Sequence, residues 1–286
     1  MKKLLLFILP LLLLTSCGGK PPVVEPTSIE VEEAETYTKE DKIIYRDNLK
    51  IVGELYIPDN EQEIFPLLVL SHGFNNNMDN TRNDAITFSK AGYMTFIFDY
   101  IGGALNKKSD GQITEMSILT EADDLNIVID ELKEDERVHN DYIFVAGQSQ
   151  GGFISTYIAC TREDIRGLIG FYPAYVLQDD ALKQYSKLED VPETYVTPLG
   201  IRVGKIYWQD ATSFDIYDMM EDCEVPALII HGTNDNIVPL SYAQKAVETL
   251  PNAELLTIQG AGHGFSGGDN VKAINASLEF LNNNLN

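Results

Sequence analysis

The pentapeptide Gly147-Gln148-Ser149-Gln150-Gly151 leaves this chain few folds to choose from. It follows the apolar run Tyr142-Ile143-Phe144-Val145-Ala146 and opens a helix-like stretch over residues 152–160. A strand that turns straight into a helix strains the serine at its apex, so the residues two before and two after must be small. Glycine stands at both positions, and Gly152 lets the helix pack close to the strand. Such a turn exposes the Ser149 hydroxyl to a base on one side and a substrate carbonyl on the other. Ser149 is therefore the candidate nucleophile.

Around this turn, strand-like and helix-like stretches alternate. Two β-like runs at residues 43–45 and 50–57 begin an antiparallel edge. Residues 67–70 are continuously apolar, as a strand buried on both faces would be. A helix at 83–91, a strand at 93–98 and a long helix at 113–132 follow, the last with Ile118, Ala122, Leu125, Ile129 and Leu132 on one face. After the serine come strands at 166–172, 225–230 and 253–258, with helices near 242–250 and 271–285. The pattern predicts an α/β fold with a mostly parallel central sheet and helices on both faces. In such a sheet, ligands sit outside the carboxyl ends of the strands. No internal repeat is visible, and 286 residues, 44% of them hydrophobic, suffice for one large core.

The start of the chain reads differently. Lys2 and Lys3 precede an apolar stretch, residues 4–14, too short to span a bilayer as a mature helix. It ends Leu14-Thr15-Ser16-Cys17, then Gly18-Gly19, which closely resembles a bacterial lipoprotein signal with Cys17 as the lipidated residue. Residues 1–16 are thus expected to be a signal peptide. Residues 17–41 carry three prolines and a run of glutamates, and are expected to be an acidic linker holding a catalytic domain, 42–286, off an envelope membrane. The formal charge of −23 comes with no basic patch, so nucleic acid is not an expected partner.

A serine hydroxyl needs a base, and the base needs an orienting acid. Of four histidines, His139 lies in a charged stretch that reads as a surface loop, and His231 ends a buried strand. His72 begins His72-Gly73-Phe74 after the strand at 67–70. His263 lies in Gly260-Ala261-Gly262-His263-Gly264-Phe265 just after the last strand, where glycines let a loop deliver the ring into a cleft. By elimination and position His263 is the base. The acid is expected after a strand between serine and histidine. Asp235, in His231-Gly232-Thr233-Asn234-Asp235, meets that condition; its rivals Asp215, Asp218 and Asp222 do not directly follow a strand. A tetrahedral intermediate also needs two N–H donors. The backbone of Gln150 and that of Phe74 are the candidates, and losing one such donor typically costs about 3–4 kcal/mol in the transition state.

These motifs, with Val238-Pro239, resemble those of the α/β-hydrolases over residues 42–286. Within that superfamily they are similar to the bacterial cinnamoyl and feruloyl esterases and to serine aminopeptidase-like proteins. The resemblance implies acyl-enzyme chemistry by Ser149, His263 and Asp235 on a small-molecule or polysaccharide-linked carboxylic ester, hydroxycinnamoyl esters among them. It implies no cofactor. A serine peptidase is the second reading, and a non-catalytic binder on the same fold the third. Gln148 departs from the histidine those esterases often carry.

Between the strand near Tyr172 and the helix near Phe214 lie about 40 residues where roughly 2–6 are usual, so residues 174–213 read as a lid insertion. It holds Tyr175, Tyr185, Tyr195, Tyr207 and Trp208. Those rings either line a substrate pocket or pack the insertion's own core. As a pocket, Tyr175, Gln178, Tyr207 and Trp208 are the substrate-binding candidates. Cys160 and Cys223 are free to pair in an exported protein, and no His, Cys or Asp spacing suggests a metal.

Overall fold

The computed structural model describes residues 29–285. Its frame is an eight-stranded sheet. The strands are β1 (Thr36–Arg46), β2 (Leu49–Asp59), β3 (Phe65–Ser71), β4 (Met94–Asp99), β5 (Val138–Gln148), β6 (Ile165–Phe171), β9 (Ala227–Gly232) and β10 (Ala253–Ile258). Across the sheet they run in the order β1-β2-β4-β3-β5-β6-β9-β10. Only the pairs β1·β2 and β2·β4 are antiparallel; from β4 to β10 the sheet is parallel.

The continuous apolar runs are explained by the pleat. Leu67 and Val69 of β3 enter one hydrophobic cluster, Leu68 and Leu70 the other. Likewise Ile143 and Val145 of β5 face one side, and Tyr142, Phe144 and Ala146 the opposite side. Successive side chains point to opposite faces, so a strand covered on both faces must be apolar at every position. Each such aliphatic side chain contributes about 1.5–3 kcal/mol by leaving water. One face is covered by α2 (Ile118–Lys133) and α3 (Gln150–Thr161), the other by α1 (Arg82–Lys90) and α8 (Gly267–Asn283). The helix α7 (Leu240–Thr249) packs against β9 and β10.

Several boundaries differ from those expected. The sequence places the end of the linker at residue 41, but β1 begins at Thr36, and Ile29 and Val31 already pack on the core. The stretch is acidic, yet its alternating residues pair along the whole of β2. The long helix begins at Ile118 rather than at 113, because Ser117 caps it: its hydroxyl accepts the Thr120 amide while the Thr120 hydroxyl accepts the Ser117 amide. His139 belongs to β5, not to a loop. The lipoprotein-like segment with Cys17 lies outside the described residues.

The insertion is ordered. It holds α4 (Leu177–Gln184), a small hairpin of β7 (Thr194–Val196) and β8 (Arg202–Gly204), and α5 (Lys205–Ala211). The short helix α6 (Ile216–Met220) follows. Cys160 at the end of α3 and Cys223 just past α6 form a disulfide, with Cα atoms 4.9 Å apart. The bridge closes the chain around the insertion.

Candidate active site

The turn from β5 into α3 is as tight as the motif requires. A Cβ on Gly147 would lie 2.2 Å from the Gly151 carbonyl oxygen, and one on Gly151 would lie 2.4 Å from that of His72. Nothing larger than glycine fits either place. Ser149 at the apex has φ 52° and ψ −117°, a conformation costing about 1–3 kcal/mol that only a surrounding frame sustains. Part of that frame is visible in its bonds. The Ser149 amide donates to Phe171 O, and its carbonyl accepts from the amides of Phe153 and Ala174.

Three side chains meet above this turn. The Ser149 hydroxyl lies 3.0 Å from His263 Nε2, and His263 Nδ1 lies 2.7 Å from Asp235 Oδ2. With Nδ1–H donating to the carboxylate, Nε2 is left to accept the hydroxyl proton. Asp235 follows β9, and its Oδ1 accepts the amides of Ile237 and Val238 at 2.9 and 2.8 Å. The order Ser, Asp, His in sequence thus becomes a continuous hydrogen-bonded chain at the carboxyl ends of β5, β9 and β10.

The other histidines sit elsewhere. His231 is fully buried, and its Nε2 lies 2.9 Å from Val238 O and 3.3 Å from Asp235 Oδ2. Burial lowers its pKa, so it is the neutral ring with Nε2–H donating. His72 is buried under the loop after β3, with Nδ1–H donating to Gly73 O at 2.9 Å; burial lowers its pKa as well. The ring of His139 packs on Tyr142, far along β5 from the serine.

Phe74 and Gln150, the two candidate amide donors, flank Ser149. Gly73 presses against the serine, since a Cβ there would be 3.2 Å from Ser149 Cβ. Gln150 opens α3, where the first amides have no partner within the helix. Its side chain is fixed at both ends: Nε2 donates to Glu121 Oε2 at 2.6 Å, and Oε1 accepts the Tyr207 hydroxyl at 2.5 Å. Burial drives the Glu121 pKa well above the usual carboxyl range, which favours its neutral form. On the other side of the serine, Gln148 Nε2 and Asn270 Nδ2 both donate to Asp84, whose pKa burial also raises.

Ser149, Gln150 and Phe74 open on a cavity of about 250 Å³. Of the four expected substrate-binding residues, only Tyr207 lines it. Tyr175 is buried, its hydroxyl paired with Thr156 at 2.8 Å. The Trp208 indole N–H donates to Ala181 O, inside the insertion. Gln178 bonds Phe214 O and faces a separate hollow. Tyr175 and Trp208 thus pack the core and the insertion, and Gln178 ties the insertion to Phe214. The cavity is instead walled by Leu177, Asp180, Ala181 and Gln184 of α4, with Tyr195 and Leu199 of the hairpin and Ile237 opposite. Positions 177, 180, 181 and 184 share one helix face by the i, i+3, i+4, i+7 spacing, but as Leu, Asp, Ala and Gln they form no apolar stripe.

A twisted parallel sheet with an antiparallel start, a strained serine at a strand–helix turn, and a Ser–His–Asp chain at strand ends define an α/β-hydrolase. The chain belongs to the family described as serine aminopeptidase, S33, whose model matches residues 62–204. A second family model, TAP-like protein, matches residues 206–284. Among solved structures, ferulic acid-bound Est1E from Butyrivibrio proteoclasticus is similar with a TM-score of 0.77 and 25% identity, over 85% of this chain and 99% of that one. Esterase LipC of Mycobacterium tuberculosis is 27% identical over 143 residues, 43% of this chain and 35% of the relative. Non-heme chloroperoxidase CPO-A1 of Kitasatospora aureofaciens is 37% identical over 76 residues, 24% of this chain and 28% of the relative. The aligned part thus spans about a third or less of these curated relatives.

Proposed function

We propose that the protein is a serine hydrolase that cleaves carboxylic esters through an acyl-enzyme, with hydroxycinnamoyl esters as its substrate class. The observation that carries this is the Ser149–His263–Asp235 chain, at 3.0 and 2.7 Å, opening directly on a largely apolar cavity. In this reading Ser149 attacks the ester carbonyl and His263 takes its proton. The same proton passes to the departing alkoxide, and the alcohol leaves. Water, deprotonated by His263, then attacks the acyl-enzyme, and the acid is released as the proton returns to Ser149. Asp235 stabilises the imidazolium at each stage, and the amides of Gln150 and Phe74 receive the oxyanion.

The cavity favours a flat aromatic acyl group. Phe74 and Tyr207, with ring centroids 5.5 Å apart, form an aromatic wall beside the serine. Leu177 and Val176 supply aliphatic surface, and Asp180, Gln184 and Tyr195 supply polar atoms able to meet a phenolic hydroxyl. The ferulic acid bound to Est1E, a structure similar over nearly its whole length, supports the same class.

The test compares kcat/KM on methyl ferulate and on 4-nitrophenyl acetate, using the domain from Gly18 onward with Ser149→Ala as control. A preference for ferulate that the control abolishes supports the reading. Turnover of acetate alone removes the hydroxycinnamoyl part. Peptidase activity is the second reading, favoured by the family match and by an acidic side chain in the cavity, Asp180, able to hold a substrate ammonium. Turnover of aminoacyl 4-nitroanilides with neither ester cleaved would replace the first reading with this one.

Anchoring of the protein to a bacterial envelope membrane through lipidated Cys17 belongs to the same proposal, on the strength of residues 2–19. Cys17→Ala is expected to move the full chain from the membrane to the soluble fraction. Unchanged partitioning would refute the anchor.

A further inference from the structure

Tyr172 stands just past β6 with φ 40°. Positive φ is a genuine outlier for a bulky aromatic residue, and glycine would meet the same backbone demand without strain. The backbone demand itself is clear. Ser149 N–H donates to Phe171 O, Tyr172 N–H to Ile230 O, and Ala174 N–H to Ser149 O, so residues 171–174 are laced to the serine turn and to β9. Pro173 fits against the elbow helix, where a Cβ on Gly152 would come within 2.9 Å of it. That explains the conformation and leaves unexplained why the residue holding it is tyrosine.

The ring supplies the explanation. It lies edge-on to the His263 imidazole with centroids 4.8 Å apart, and to Phe265 with centroids 4.9 Å apart at 88°. It therefore touches two residues of the loop that carries His263. Ala261 anchors the start of that loop, buried with its carbonyl accepting the Asn234 amide, but the glycines around His263 pack on little. A Cβ placed at Gly260, Gly264, Gly267 or Gly268 would meet nothing within 4 Å, and Gly264 and Ser266 are exposed. Hydrogen bonds hold the imidazole at its two nitrogens, and the ring of Tyr172 packs against it as a third contact.

We propose that Tyr172 is a positioning residue for His263, its ring seating a glycine-rich loop so that the imidazole stays in line with Ser149 and Asp235. This rests on the reading of His263 as the general base. The phenol hydroxyl has no part in it: among the described residues it makes no hydrogen bond. Nor does Tyr172 line the substrate cavity, so it acts on kcat and not on substrate binding.

The test uses Tyr172→Phe, Tyr172→Ala and Tyr172→Gly, with Phe265→Ala as a loop-side variant that leaves the elbow intact. Measured are the rate of Ser149 labelling by a fluorophosphonate, kcat and KM on 4-nitrophenyl acetate, and Tm. Tyr172→Phe is expected to stay within about twofold of wild type. The alanine and glycine variants are expected to lose roughly 30-fold in kcat and labelling rate, with KM little changed, which is the scale of a small misplacement of a catalytic group. Phe265→Ala should lose about fivefold by the same mechanism. Glycine relieves the strain that alanine keeps, so Tyr172→Gly should melt above Tyr172→Ala while being equally slow.

Activity that tracks Tm, with glycine faster than alanine, would mean a merely structural ring and overturn the proposal. So would a phenylalanine variant as slow as glycine, or wild-type labelling rates in every variant, Phe265→Ala included. A wild-type protein that does not label at Ser149 while folded would overturn the reading of the site itself, and the proposal with it.

Discussion

Asp235 uses its two oxygens for different tasks. Oδ1 takes the amides of Ile237 and Val238, which fix the carboxylate against the turn after β9, and Oδ2 is left for His263. This division makes Asp235→Asn a sharp test. The amide would keep the shape, but where it presents N–H toward Nδ1 it favours the wrong tautomer, with the proton on Nε2. A loss of about 10³–10⁴ in kcat with KM nearly constant is expected from esterase kinetics. A loss below tenfold would remove Asp235 from its role. At this scale the arrangement is legible in the sequence, because glycine spacing and strand ends constrain where a serine, an aspartate and a histidine can meet. The cavity is not. The helix α4 has few apolar residues, and its face of Leu177, Asp180, Ala181 and Gln184 points at the cavity, so no hydrophobic stripe announces it. Aromatic content draws attention to Tyr175 and Trp208 instead, and burial with satisfied polar atoms is what large rings near a core usually find.

The element that joins cavity to chemistry is α5. Its Tyr207 reaches Gln150, and its Asp210 accepts the Ser117 hydroxyl that caps α2. Gly204, just before α5, has no room for a side chain, since a Cβ would lie 2.0 Å from Thr114 O. The insertion is thus fastened along α2 and leaves α4 and the hairpin to shape the cavity. Sequence length alone reveals an insertion but not its attachment, which depends on pairings 57 and 93 residues apart. Two outcomes follow from this fastening. Because burial favours the neutral form of Glu121, Glu121→Gln should be nearly isosteric and isoelectric. Its Tm should stay within about 3 °C of wild type and kcat within about threefold, whereas Tyr207→Phe should lower kcat roughly fivefold by freeing the Gln150 side chain, on the scale of one hydrogen bond of about 1 kcal/mol. A Glu121→Gln variant that unfolds would show that the carboxyl is needed as a charge. The Cys160–Cys223 bridge closes a loop of 63 residues around the same insertion. Chain entropy sets its contribution at about 4 kcal/mol, so reduction should lower Tm by roughly 10 °C in a thermal melt. No change on full reduction would place the loop's constraint elsewhere.

For the whole molecule, two groups of carboxyls oppose one another, and their balance sets the response to pH. Glu40 and Glu54 have pKa values of about 2. For Glu40 the hydrogen bond from Arg137 leads; for Glu54 burial is outweighed by the bonds from Arg82 and Tyr56. Their folded values lie below the unfolded ones, so their stabilisation is complete above the usual carboxyl pKa and is lost as pH falls through the folded values. Asp124 behaves oppositely. Burial raises its pKa to about 7, outweighing an Arg46 guanidinium 2.7 Å away and the Ile101 amide. Glu121 and Asp84 are raised by burial too. For these groups the folded state binds protons that the unfolded state has released, so stability falls as pH rises from about 4 toward neutrality and beyond. The formal charge of −23 adds self-repulsion in the same direction. Stability is therefore expected to peak in mild acid, at about pH 4–5 where the two trends cross, and Tm at pH 8 should lie roughly 5 °C lower, the shift that about 2 kcal/mol produces in a domain of this size. Asp124→Asn should flatten the alkaline side of that profile while leaving the acid side unchanged. A wild-type Tm that rises from pH 5 to pH 8 would mean that the buried carboxyls ionise in the folded protein, with Arg46 and the neighbouring amides outweighing burial after all.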